Sequence, residues 1–133
     1  MPILNVEHIA WNVADPAAVA DWYVANLGMR VVRSGPAPTH MRFLADASGR
    51  VVVEIYNNTA DPIPDYAAQH PARLHFAFDT DDPDRSRDDL IASGATLVDE
   101  QTAADGSRLV MLRDPWGLAL QLCKRTVPLL PPS

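Results

Sequence analysis

The sequence holds one cysteine, Cys123, so no disulfide can close within the chain. A reducing, cytoplasmic setting is expected, with Cys123 as a small apolar filler in a strand. Thiolate-rich structural zinc sites are excluded by the same shortage. No apolar run nears the roughly 20 residues that cross a bilayer, and MPILNVEH has no basic segment leading into a long hydrophobic one. No membrane span or leader is expected. Basic residues are also few: Lys and Arg number 11 against 17 Asp and Glu, for a net charge of -6. Scattered at that density they leave no footprint for nucleic acid or an anionic membrane surface.

The chain is not short of core-forming residues. At 133 residues and 47% hydrophobic, it can bury a core as a single domain or two fused half-domains. Residues 4 to 13 alternate like a strand, and Asp15-Pro16 supplies a helix cap with proline at the first helical position. The spacing of Val19, Trp22, Tyr23 and Leu27 predicts a helix from Pro16 to Leu27, closed by Gly28. The segments MRVVR, THMRFLAD and RVVVEIYN then read as strands, so the first half is βαβββ.

The second half repeats that order. RLHFAFDT reads as a strand, Asp82-Pro83 as a second cap, and DRSRDDLIASG as a helix ending at Gly94. ATLVDE, SRLVMLRD and LALQLCK read as strands, with Asp114-Pro115-Trp116-Gly117 as the last turn. An offset of 67 positions superimposes His8 on His75, Asp15 on Asp82, Pro16 on Pro83, Asp21 on Asp88 and Glu54 on Gln121. The expected organisation is α+β: two βαβββ repeats, about 4–58 and 73–124, in one domain. A Pro/Ala-rich linker over 59–72, with room for one helical turn, joins them, and a Pro-rich tail follows over 125–133. The tail's prolines bar it from a central strand.

Strand parity sets the candidate site. His8, Ala10 and Asn12 share one face of the first strand, while Ile9, Trp11 and Val13 point to the core. His75, Ala77 and Asp79 oppose Phe76 and Phe78 in the same way. Glu54 shares its face with Val52 and Tyr56, and Gln121 with Ala119 and Cys123. If a pseudo-twofold axis relates the halves, two imidazoles, a carboxylate and an amide oxygen converge, and such a donor set suits one divalent ion: Ni, Zn, Mn, Co or Fe. Glu54 carries most weight, because a carboxylate in the apolar run VVVEIY needs a partner to offset its desolvation. His40 and His70 have no repeat partner and read as solvated. Trp11 and Trp22 have core parity and spacing, and the acidic cluster from Asp79 to Asp89 reads as a solvated helix start.

HIAWNVADPAAVADWYVANLGMRVV, VVVEIYNN, LHFAFDTDDPDRSRDDLIASGATLV and DPWGLALQL together resemble the vicinal oxygen chelate superfamily of glyoxalases, bleomycin-resistance proteins and extradiol dioxygenases. The resemblance spans about residues 4 to 124. It implies a cupped mixed sheet around a metal cavity, a homodimer and a small-molecule substrate. It further implies that His8, Glu54 and His75 stand at metal-ligand places, with Gln121 where most catalytic members carry glutamate. Glyoxalase-type isomerisation needs a carboxylate to move a proton and glutamine cannot accept one, so of these two strand positions only Glu54 can serve as catalytic base. Asn12 and Asn58 match polar positions facing substrate. The resemblance implies a glyoxalase-like, metal-dependent lyase or isomerase acting on an oxygen-rich substrate. Its alternatives are an extradiol-type dioxygenase and a metal-free protein that sequesters an antibiotic.

Overall fold

A computed structural model describes residues 1–131. The chain forms two compact units, Met1–Pro64 and a second from Asp65 onward. The first runs β1 (Ile9–Asn12), α1 (Pro16–Leu27), β2 (Arg30–Ser34), β3 (Arg42–Ala45) and β4 (Val51–Tyr56). Its sheet has the order β1-β4-β3-β2, with β1 parallel to β4 and the other pairs antiparallel. The second unit runs β5 (Phe76–Asp79), α2 (Pro83–Ala92), β6 (Thr96–Thr102), β7 (Arg108–Arg113) and β8 (Ala119–Lys124). Its sheet order, β5-β8-β7-β6, repeats the pattern, again with one parallel pair. Two four-stranded mixed sheets in βαβββ order are thus the observed architecture.

The helices begin and end for the reasons the sequence supplies. Asp15 accepts from the Ala18 N–H and Asp82 from the Arg85 N–H, each satisfying a donor that the first helical turn leaves free. Proline follows each cap. α1 stops at Gly28, whose φ of 67° is the left-handed geometry that glycine adopts without a Cβ penalty. α1 buries Pro16, Val19, Ala20 and Tyr23, and the larger of these side chains stabilise by roughly 1.5 to 3 kcal/mol each. α2 buries only Pro83 and Leu90. It is tied down instead by charges: Arg87 pairs with Asp84, Asp88 and Glu100, and Arg108 reaches Asp84 and Glu100 from β7.

Some strands are shorter than their alternation suggests. The first was expected from residue 4, yet Leu4 and Val6 are exposed and pairing begins at Ile9, itself exposed although its parity points to the core. Alternation fixes a face but does not create a neighbour to bond. β5 likewise starts at Phe76 rather than Arg73, and Phe76 and Phe78 are half-buried, packed on each other at 4.4 Å. Trp11 is buried as expected, whereas Trp22 is half-buried. The linker contains a single 3₁₀ turn, Tyr66–Ala68. Arg113 donates to the carbonyls of Tyr66, Gln69 and Gly117, fastening that turn to the β7–β8 connection. There Asp114 is buried, and its carboxylate accepts from the Trp116 and Leu118 N–H groups. Among the described residues, no helix is long and apolar enough to cross a membrane.

Candidate functional site

In the first unit Glu54 lies mid-strand on β4, between Val53 and Ile55, which are fully buried on the core face. Its own face is half-buried, and its lateral neighbours are Ala10 on β1 and Phe43 on β3. His8 stands immediately before β1 on the same side. Its Nε2 lies 3.7 Å from Glu54 Oε1, and its ring meets Phe43 edge-on with centroids 5.2 Å apart. The other ring nitrogen, Nδ1, lies 2.7 Å from Glu7 Oε1.

That last contact fixes the tautomer. An ionised carboxylate only accepts, so Nδ1 carries the hydrogen and donates it to Glu7. A neutral His8 therefore turns the bare lone pair of Nε2 toward the Glu54 carboxylate. Two acceptors facing each other repel, and either a second proton on the ring or a cation between them removes the conflict. The gap admits the cation, since two coordination bonds of roughly 2.0 to 2.2 Å can together span more than the observed separation. Glu7 holds the ring in the manner of an outer carboxylate behind a ligating histidine.

The second unit offers a related but unequal arrangement. His75 stands just before β5, and its Nδ1 lies 3.0 Å from the Pro71 carbonyl. A carbonyl also only accepts, so Nδ1 of His75 is the donor there, and a neutral His75 presents its Nε2 lone pair. His70 has the opposite tautomer, because its Nδ1 accepts from the Ala72 N–H. Gln121 occupies on β8 the place Glu54 holds on β4, flanked by Ala77 and Met111. Its Oε1 accepts from the Cys123 thiol at 3.4 Å. Burial pushes that thiol above its ordinary pKa, opposed by Arg125 and assisted by Asp79, so it remains a neutral donor.

Asn12 and Asn58 hold each other. The Asn58 N–H donates to Asn12 Oδ1 at 2.8 Å, and Asn12 Nδ2 donates to the Asn58 carbonyl at 3.3 Å. Asn58 Oδ1 accepts from the Ala60 N–H. The pair thus fixes the chain leaving β4 beside the end of β1. Of the expected donors, His8 and Glu54 come together in the first unit, while His75 and Gln121 belong to the second. Among the described residues, no three His, Cys, Asp or Glu side chains gather as an ion-holding group. Glu7, Phe43 and the Pro71 carbonyl were not singled out from sequence. Glu7 had a signal, an acid directly beside the strand histidine, whereas a backbone carbonyl leaves none.

The family described as a glyoxalase-like domain matches this chain over residues 8–123. No curated protein matches it. Among solved structures, SMU.1112c is 26% identical, with a TM-score of 0.70, covering 92% of this chain and 100% of that one. TnmS3, an antibiotic binding protein from Streptomyces sp. CB03234, is 21% identical with a TM-score of 0.67, covering 92% and 96% of the two chains. A glyoxalase/bleomycin resistance protein/dioxygenase family enzyme from Burkholderia phytofirmans PsJN is 19% identical with a TM-score of 0.68, covering 88% and 95%.

Proposed function

The chain belongs to the glyoxalase-like domain family, and on that premise we propose that it is a metal-dependent lyase or isomerase acting on a small oxygen-rich substrate. The observation that carries this reading is His8 Nε2 standing 3.7 Å from the Glu54 carboxylate, with Nδ1 2.7 Å from Glu7. The residues fit a divalent ion in donor chemistry: His8 and His75 through Nε2, Glu54 through its carboxylate, and Gln121 through its amide oxygen. Bound there, such an ion would supply Lewis-acid polarisation of substrate oxygens.

With both imidazole Nε2 atoms given to the ion, the Glu54 carboxylate is assigned to take a proton from carbon and return it to the adjacent carbon. Gln121 orients but cannot exchange protons. Asn58 Nδ2 makes no hydrogen bond among the described residues, which supports Asn58 as a substrate contact, with Asn12 setting its backbone. Exposed apolar residues near the N-terminus, Ile3, Leu4 and Val6, support a homodimer in which a second copy covers them. Sedimentation at micromolar concentration tests this, and a monomer would refute it.

The competing reading is metal-free sequestration of a small molecule, favoured by an amide at position 121 and by the shared fold with TnmS3. Metal analysis separates the two. The enzyme reading expects about one equivalent of Ni, Zn, Mn, Co or Fe after dialysis, lost in His8→Ala and in His75→Ala. Protein that takes up no metal yet binds an antibiotic tightly would overturn it. Ring cleavage of catechols by the ferrous protein in air would instead assign extradiol chemistry.

A further inference from the structure

The second unit holds a cavity of about 530 Å³ where β5 and β8 part company, within the size range of small-molecule sites. The parallel ladder ends with the Thr80 N–H donating to the Cys123 carbonyl at 2.9 Å. Beyond it the segment after β5 turns through Asp81 toward the α2 cap, and the segment after β8 runs through Arg125 into the tail. The cavity walls carry both signs of charge, Asp79 and Asp81 against Lys124 and Arg125. Phe78 and the tail residues Pro128, Leu129 and Leu130 give it an apolar side.

Two features set this cavity apart from an ordinary solvated surface. None of its four charged side chains makes an ion pair or hydrogen bond among the described residues, although opposite charges share one hollow. Asp79 and Arg125 both act on the Cys123 thiol, with opposite sign, so both charges lie within electrostatic reach of one wall residue. The tail, for its part, lays two leucines over the cavity rather than into a core, and they remain largely exposed.

We propose that this cavity binds a small zwitterion with an apolar body, of the hydrophobic α-amino acid class. Its ammonium meets Asp79 and Asp81, its carboxylate meets Arg125, and its side chain lies against Leu129 and Leu130. A ligand of single charge satisfies one half of the wall and is repelled by the other. Arginine suits the carboxylate because its planar fork donates twice in one geometry. None of His8, Glu54, His75 and Gln121 lines the cavity, so the proposal goes beyond the metal reading and does not depend on it.

Calorimetric titration of the full chain with L-phenylalanine tests this, with phenethylamine, 3-phenylpropionate and glycine as partial probes. Phenylalanine should bind, and each probe lacking one of its three features should bind about tenfold more weakly, the size of one lost charge-assisted contact or apolar wall. Asp79→Asn and Arg125→Gln should each weaken phenylalanine binding by a similar factor, and Leu129→Ser with Leu130→Ser should do so without changing the melting temperature. His8→Ala should leave phenylalanine binding unchanged even where it loses metal, so the two readings can fail separately. No heat with phenylalanine at millimolar concentration, equal binding of the singly charged probes, or full affinity in Asp79→Asn and Arg125→Gln would each overturn the proposal.

Discussion

The two units share a scaffold and differ at the position where chemistry would occur. Both cap their helix with Asp-Pro, both pair their first strand in parallel with their last, and both carry a β-bulge in the outer ladder, between Val31 and Arg33 and between Leu97 and Asp99. Both also hold a histidine before the first strand whose Nδ1 lies against an acceptor oxygen. The central position of the last strand departs from this: Glu54 in one unit faces its histidine, while Gln121 in the other takes the Cys123 thiol as partner. The features that build the fold recur, and the acid stands on one side alone. Under the proposed function, proton transfer falls to the first unit.

The largest expected effect comes from erasing that difference. Glu54→Gln gives the first unit the amide of the second, and turnover should fall by about 10² to 10⁴, the usual contribution of a positioned base. Gln121→Glu makes the reverse change and should tighten metal binding, because a second anionic donor joins the set. Steady-state kinetics and metal titration read these two outcomes. Unchanged turnover in Glu54→Gln would refute its role as base.

A stability contrast comes next. At Gly117, φ is 92° and a Cβ would sit 2.7 Å from the Ala67 Cβ and 2.8 Å from the Ala67 nitrogen. Gly117→Ala should cost about 2 to 4 kcal/mol, combining a disfavoured backbone with a clash against the linker turn. Gly28→Ala meets nothing within 4 Å, so only the backbone term remains, about 1 kcal/mol. Denaturant midpoints compare the two. Smaller still, Asp15→Ala and Asp82→Ala should each cost about 1 kcal/mol, and by similar amounts, since the caps match in geometry.

The smallest effect is a pH dependence carried by the second unit. The Asp84 carboxyl is held below its ordinary value chiefly by its hydrogen bond from Arg108, with the charges of Arg108 and Arg87 adding. A carboxylate with a depressed folded-state pKa contributes stability that is fully present above its unfolded value, near 4, and is lost as pH falls through the folded value. Asp84→Asn should therefore show a shallower loss of stability in acid than the unaltered chain. High salt should shrink the difference, because the group is exposed.

Much of this was legible in the sequence because it rests on local chemistry. The span of α1, its glycine stop, both caps and the turn at Asp114 follow from residue type and spacing alone. What was not legible depends on partners. Alternation from residue 4 suggested a strand, but β4 offers β1 a parallel partner only from Val53, opposite Ile9. Parity and the repeat nominated His8, His75, Glu54 and Gln121 as candidate donors. Sequence could not supply the tautomers, which depend on Glu7 and on the Pro71 carbonyl. Nor could parity show that Asn12 spends its amide on the Asn58 backbone, a contact across 46 residues.

The central claim is that His8 and Glu54 present a lone pair and a carboxylate to one divalent ion. Titration of the metal-stripped chain with cobalt(II), followed by its visible ligand-field bands, tests this most directly. The expected result is saturation near one equivalent, with bands that weaken or vanish in His8→Ala and in Glu54→Gln while both variants retain the native melting transition. Identical spectra and stoichiometry in all three proteins would contradict it.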